Sequence, residues 1–319
     1  MPSKKSRLLL TIGDPNGIGP EIILKIFQNK SFINKYDLKI AGAKKILDFY
    51  SSLLSFPKIS DANIVEIPLP KNFKVTPGKI DKAAGKISGD SITIAAALCM
   101  KKEFDAMITL PISKKSLNLG GYNYPGHTEM LSKLTSSKDT VMILYSDEFS
   151  VAFVTGHLAL KDVSKKLNEE LIFKKVIAVN NSLVRDFKIK NPKIALLSLN
   201  PHAGDGGLIG KEEINIIKPV VEKMNSIGFS IRGPYSSDAY FANQTYKKFD
   251  ITIAMYHDQG LIPFKMISFE RGVNFTAGLK IIRTSPDHGT AFDIAGIGRA
   301  NPESTIHAVE LAGVLAGRL

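Results

Sequence analysis

Short runs of β-branched and other apolar residues alternate along the chain with amphipathic stretches of helical period. That alternation predicts an α/β protein built on a parallel sheet with helices on its faces. Seven strands are predicted, at 8–12, 38–41, 106–110, 141–145, 151–155, 193–199 and 250–256. In Ile194-Ala195-Leu196-Leu197 and Ile251-Thr252-Ile253-Ala254-Met255 nearly every position is apolar, so these strands have no wet face and are expected at the sheet centre. Helix starts fall between the strands. Gly19-Pro20-Glu21 combines a cap, a first-turn proline and an acid near the positive dipole end, and Ile22, Ile23, Ile26 and Phe27 follow at helical spacing. Asn301-Pro302-Glu303 repeats that start before a final helix expected through Leu311. With no internal repeat and no low-complexity linker, the pattern predicts two interwoven lobes between which the chain crosses.

The length of 319 residues suits two lobes, being roughly twice a typical domain of about 150. Hydrophobic residues at 44 %, charged residues at 23 % and balanced hydropathy exclude disordered, collagen-like and coiled-coil classes. The net charge of +12 would suit an anionic partner, yet only seven of the 42 basic residues are Arg. The lysines come as scattered pairs such as Lys44-Lys45, Lys101-Lys102 and Lys174-Lys175, without aromatic interleaving. They read as a solvated surface rather than a nucleic-acid stripe. Cys99 is the single cysteine, so no intrachain disulfide forms and a reducing compartment is expected. The first residues imitate the basic region of a signal peptide, but the apolar run stops at Gly13-Asp14-Pro15, too soon for one. No apolar stretch approaches membrane-spanning length, and a cytoplasmic protein is expected, without membrane or nucleic-acid partners.

Three of the six histidines share one structural address. His157 ends VAFVTGH, His202 ends KIALLSLNPH and His257 ends ITIAMYH, each at or just past the carboxyl end of a predicted buried strand. Ligands bind at that edge in open α/β sheets, and three imidazoles gathered there would hold a catalytic divalent ion with coordination positions to spare. A single strand-end histidine would more simply be a structural hydrogen-bonder. Asp258 adjoins His257 and Asp238 lies upstream, and either could orient a ligand or assist proton transfer, or be a plain surface carboxylate.

A second group suits an anion. YPGHTEML places His127 and Thr128 at an expected helix start, where free backbone N–H groups attract phosphate. Lys265 and Arg283 are candidate counter-charges, although an isolated lysine is ordinarily a surface residue. The loop GDPNGIGPE, with glycines at 13, 17 and 19, matches neither the dinucleotide fingerprint nor the P-loop. It is either a tight structural turn or a place of close backbone approach to a ligand.

GDPNGIGPE, YPGHTE, LNPHAGDGG followed by GKEE, YHDQGLIPFK and IRTSPDHGTAFDIAG occur in that order over residues 13–296. Together they resemble the 4-hydroxythreonine-4-phosphate dehydrogenases of pyridoxal phosphate biosynthesis, and DHGTAFDIAGIGRANP is similar to the nucleotide loop of isocitrate and isopropylmalate dehydrogenases. The resemblance implies two interwoven α/β/α lobes of isocitrate/isopropylmalate dehydrogenase-like fold, with the active site in the cleft between them. Residues 1–125 with 270–319 would form the nucleotide-binding lobe, and 126–269 the metal-binding and dimerisation lobe. It implies His157, His202 and His257 as ligands of a zinc, cobalt or magnesium ion, contributed across a homodimer interface. His127, Thr128, Lys265, Asn274 and Arg283 would bind substrate. Gly17, Gly19, His288, Gly289 and Asn301 would border NAD, which is favoured over NADP because no Arg is evidently set aside for a 2′-phosphate. The chain departs from the usual pattern at Gly156, Ala159 and Lys280.

The implied reaction is NAD-dependent oxidation of the C3 hydroxyl of 4-phosphooxy-L-threonine, then loss of the carboxylate from the 3-keto acid to give 3-amino-2-oxopropyl phosphate. Asp238, Asp258 and metal-bound water are candidates for the base. The rivals are a paralogous dehydrogenase of threonate or erythronate 4-phosphate or of an aromatic cis-dihydrodiol, and a non-catalytic metal- or anion-binding module.

Overall fold

The computed structural model describes residues 5–268 and 271–317. In chain order the strands are β1 (Arg7–Thr11), β2 (Asp37–Gly42), β3 (Ile64–Glu66), β4 (Ala106–Ile108), β5 (Val141–Tyr145) and β6 (Val151–Phe153). There follow β7 (Lys193–Leu197), β8 (Ser230–Tyr235), β9 (Ile251–Ala254), β10 (Val273–Ala277) and β11 (Ile282–Pro286). The chain forms two compact units, one of residues 1–138 with 279–319 and one of residues 139–278. These boundaries lie beyond those expected at 125/126 and at 269/270, and the latter falls on residues outside the described set. The reason is packing: helix His127–Leu134 buries Met130 and Leu131 among Leu9, Ile92 and Met107 of the first unit, and β10 pairs with β5 of the second.

In the first unit the strand order is β3-β2-β1-β4-β11, and every pair is parallel. Leu8, Leu9 and Leu10 of β1 are fully buried, as a strand covered on both faces requires. Helix Gly19–Gln28 starts where its sequence indicates, with proline in its first turn. Its Glu21 does more than face the helix dipole. Fully buried, it accepts from the N–H groups of Gly298 and Ala300 and pairs with Lys25. Helix Lys82–Met100, which carries the buried Cys99, approaches helix Lys114–Leu119 so closely that a Cβ on Gly85 would lie 1.7 Å from the Ser116 carbonyl oxygen. The final helix, Glu303–Ala316, runs past the expected end at Leu311.

The second unit orders its strands β10-β5-β6-β9-β7-β8, and here the expected all-parallel arrangement fails. β5 runs antiparallel to both β6 and β10, while β6, β9, β7 and β8 are parallel. Five residues, 146–150, separate β5 from β6, and a parallel crossover needs a dozen or more, so the pair closes as a hairpin. β7 and β9 take the central positions their composition indicates, with Ile194, Leu196, Leu197 and Ile253 fully buried. No helix among the described residues is long and apolar enough to cross a membrane.

Candidate active site

In the first unit, the chain turns one way from β1 to β2 and the other way to β4, so the strand order reverses at β1/β4. Crevices at such reversals, beyond the carboxyl ends of the strands, are where open α/β sheets bind ligands. Thr109 lies just past β4 and accepts from Arg283 of β11 at both Nε and Nη2, at 2.9 and 2.6 Å. Arg283 is 2 % exposed, and burial pushes its guanidinium down to about 9, leaving it cationic at neutral pH. The Leu110 carbonyl accepts from the ring of His127, the first residue of its helix. Burial first, and then the charges of Arg283 and Lys114, hold His127 well below the usual imidazole range. His127 is therefore neutral and shows an unprotonated Nε2, which is shielded from solvent and has no hydrogen-bond partner among the described residues. It stands beside the buried, cationic Arg283. Thr128 follows in the same first turn, half-buried.

The loop Gly13–Gly19 has a structural explanation of its own. A Cβ on Gly19 would lie 2.5 Å from the Ile12 carbonyl oxygen, and one on Gly17 would lie 3.1 Å from that of Thr290. Both are buried, and Ile18 N–H donates to the Thr290 carbonyl. Asn16 fastens the loop to residues 76–79, accepting from Thr76 N–H and donating to the Lys79 carbonyl. The loop thus floors the segment that carries His288 and Gly289. Gly289 is exposed, with nothing within 4 Å of where its Cβ would be. Asn301 has a capping role, its Oδ1 accepting from Glu303 N–H at 3.0 Å. Asp14 is missed by the motif reading. It is fully buried, and burial pushes it up to about 6 against the opposing effect of the Asn16 N–H it accepts.

In the second unit the three histidines stand past the ends of β6, β7 and β9, as their spacing indicates. The His157 and His257 rings approach to 5.5 Å between centroids, and Phe153 stacks on His257 at 5.8 Å. His257 Nδ1 meets Asp258 Oδ1 at 2.7 Å, an arrangement that orients the imidazole and directs Nε2 away from the carboxylate. His202 is set in a different way. Residues 202–206 all adopt left-handed backbone, including His202, Ala203 and Asp205, which have side chains. The buried Glu213 steadies this turn, accepting from the N–H groups of Leu199 and Asn200 at 2.8 Å each and from Asn200 Nδ2 at 3.0 Å. Glu213, the last residue of GKEE, is legible only as part of that motif.

His202 and Asp238 feel one another. A hydrogen bond from Ser236 and the Ala239 N–H hold the exposed Asp238 carboxyl below the usual range, and the His202 ring adds to this. Among the described residues no group of three His, Cys, Asp or Glu side chains is arranged to hold a metal ion. The contacts seen within one chain join His157 to His257, His257 to Asp258, and His202 to Asp238. Lys265 lies on the helix His257–Ser268, two turns beyond His257. Asn274 of β10 keeps a buried Oδ1 with no hydrogen-bond partner among the described residues.

Comparison with known proteins identifies one family. The chain is 43 % identical over 322 residues to the 4-hydroxythreonine-4-phosphate dehydrogenase of Sulfurihydrogenibium sp. (strain YO3AOP1), covering 97 % of this chain and 98 % of that one. It is 38 % identical over 325 residues to the D-threonate 4-phosphate dehydrogenase of Pectobacterium atrosepticum, covering 97 % and 99 %. A crystal structure of 4-hydroxythreonine-4-phosphate dehydrogenase from Klebsiella pneumoniae shares the fold with a TM-score of 0.89 at 36 % identity, over 98 % of this chain and 100 % of that one. Residues 23–312 match the family described as pyridoxal phosphate biosynthetic protein PdxA, and the chain belongs to that family.

Proposed function

We propose that the protein is the dehydrogenase that oxidises 4-phosphooxy-L-threonine at its C3 hydroxyl with NAD, the keto acid then losing its carboxylate. Family membership carries the reaction class, and the buried Arg283 beside a helix start supports a phosphorylated substrate. Arg283 supplies the full charge, and the first-turn N–H groups of Thr128 and its neighbours supply directed donors. The neutral His127 Nε2 accepts a proton-bearing oxygen or nitrogen of the substrate. The family resemblance adds Lys265 and Asn274 as candidate substrate-binding residues.

His157, His202 and His257 would hold a divalent ion, and the donor set suits zinc or cobalt. When bound, such an ion supplies Lewis acidity that brings a coordinated hydroxyl within reach of neutral-pH deprotonation. Asp258 fixes the His257 ring, and Asp238, an ionised carboxylate beside His202, is placed to take a proton. The nucleotide is assigned to the segment of His288 and Gly289, shaped from below by Gly17 and Gly19 and bounded by Asn301; NAD supplies the hydride acceptor.

A second copy of the chain would complete the ligand set, since among the described residues of one chain no group of three is arranged to hold a metal ion. Leu160, Leu208 and Met266, 71 %, 86 % and 82 % exposed, stand close in sequence to His157 and His202 and on the His257 helix, and are the candidate contacts for that second copy.

A second reading is favoured by the D-threonate 4-phosphate dehydrogenases at comparable identity, since the phosphate cluster does not distinguish an amino from a hydroxyl substituent at C2. Turnover followed as NADH absorbance with 4-phosphooxy-L-threonine, D-threonate 4-phosphate and an aromatic cis-dihydrodiol separates them. The expected result is the highest kcat/KM on the first. With Arg283→Ala, kcat/KM on that substrate is expected to fall by about two orders of magnitude, and far less on an unphosphorylated analogue. Equal losses on both would remove the phosphate role.

A further inference from the structure

We propose that Gln259 is a positioning residue whose single buried amide fixes the spacing of the chain segments carrying His157, His202, His257 and Asp238. The inference rests on the metal-holding role assigned above to the histidines. β7 and β9 are parallel neighbours whose paired positions end at Leu196 and Ile253. Past that point the two chains diverge, one toward His202 and the other toward His257. The Gln259 side chain fills the gap. Met255 N–H donates to its Oε1 at 2.6 Å, and its Nε2 donates to the Ser198 carbonyl. The amide stands where a peptide group of another strand would, and so carries the ladder one rung further while holding the strands apart.

The remaining hydrogen of Nε2 goes to Ser237 Oγ at 2.9 Å, the residue before Asp238. Met255 continues the path on the other side. Its carbonyl accepts from Thr155 N–H at 3.2 Å and Thr155 Oγ1 at 2.7 Å, two residues before His157. One run of hydrogen bonds, from Thr155 through Met255 and Gln259 to Ser198 and Ser237, therefore joins all four segments. Gln259 is 9 % exposed and uses both donors and an acceptor, so no water is needed to satisfy it. Methionine would fill the same volume without a polar group, leaving Met255 N–H and the Ser198 carbonyl unpaired in a buried setting, and the strand ends would separate to relieve them. Glutamate would set a carboxylate oxygen against the Ser198 carbonyl. Neither change touches a proposed ligand.

The test titrates metal-free protein with Co²⁺, read by its visible absorption, for the wild type, His202→Ala, Gln259→Met, Gln259→Glu and Ser237→Ala, with thermal melts alongside. Wild type is expected to bind and His202→Ala to lose binding. Gln259→Met and Gln259→Glu should bind roughly 10- to 100-fold more weakly, and Ser237→Ala, which removes one bond of three, about three-fold more weakly. In turnover, the Gln259 variants should lose kcat with KM for the phosphorylated substrate little changed. Wild-type Co²⁺ affinity in Gln259→Met, whatever its melting temperature, overturns the inference while loss in His202→Ala keeps the histidine site. Unaltered binding in His202→Ala removes the histidine site and the inference with it. Should the Gln259 variants not fold, Ser237→Ala decides, and unchanged affinity there overturns the proposal.

Discussion

Asp14 sits fully buried at the end of β1, its carboxyl raised by burial to about 6 from an ordinary value of 3.8. A raised carboxyl means that the folded state holds the proton more tightly than the unfolded one. Stability associated with it is therefore full below about pH 4 and falls as pH climbs through about 6, by at most about 3 kcal/mol. Asp14→Asn keeps the acceptor that Asn16 N–H uses and cannot ionise. Melting temperatures from pH 4 to pH 8 should show the wild type losing ground to Asp14→Asn across that interval. Parallel curves would mean that the carboxyl does not titrate there. Residue identity in the sequence was informative for type and poor for state. Spacing identifies His127 as part of an anion cluster, but its neutrality follows from burial and from Arg283 nearby, which spacing does not contain.

At the scale of elements, the turn of residues 202–206 is costly by itself. Three residues with side chains lie in left-handed backbone, at about 1 kcal/mol or more apiece. Glu213 offsets this with its hydrogen bonds to Leu199 and Asn200. Glu213→Ala is expected to cost about 3 kcal/mol, lowering the melting temperature by roughly 10 °C, and to speed amide exchange at Leu199 and Asn200 above all other sites. Exchange accelerated evenly over the chain would instead mark a general loss of stability.

The seven predicted strands all exist because apolar and β-branched residues dominate each of them. The four that sequence reading missed are concealed for particular reasons. β3 is three residues long, and β8 contains Gly233-Pro234, which argues against a strand. β11 reads IRTSP, too polar for a buried strand until Arg283 meets Thr109 and Thr284 Oγ1 meets the Ala308 carbonyl. β10 alternates weakly around Asn274. The hairpin of β5 and β6 went unread in the expectation of a parallel sheet, although the five-residue link forbids a parallel crossover.

For the molecule as a whole, the proposal that two copies share the site has a direct consequence in solution. Sedimentation velocity should give twice the chain mass, and Leu208→Lys with Met266→Lys should shift the protein toward single chains and lower turnover in parallel. A wild type that sediments as one chain at full activity would exclude the shared site. The motifs that carry the family resemblance span nearly the whole chain, and so the reaction class was legible from sequence. The left-handed backbone at 202–206 and the buried hydrogen bonds of Gln259 were not, because neither follows from the spacing of the histidines.

One unit is assembled from both termini while the other is a single uninterrupted stretch, residues 139–278. Growing from the ribosome, the uninterrupted stretch has all its own strands, β5 to β10, in hand before β11 and the helix Glu303–Ala316, which packs on β1, β4 and β11, have been made. Synthesis order thus favours a folding order: the unit of residues 139–278 matures first, and the other waits, its β4 edge open, until β11 and the helix Glu303–Ala316 have been translated.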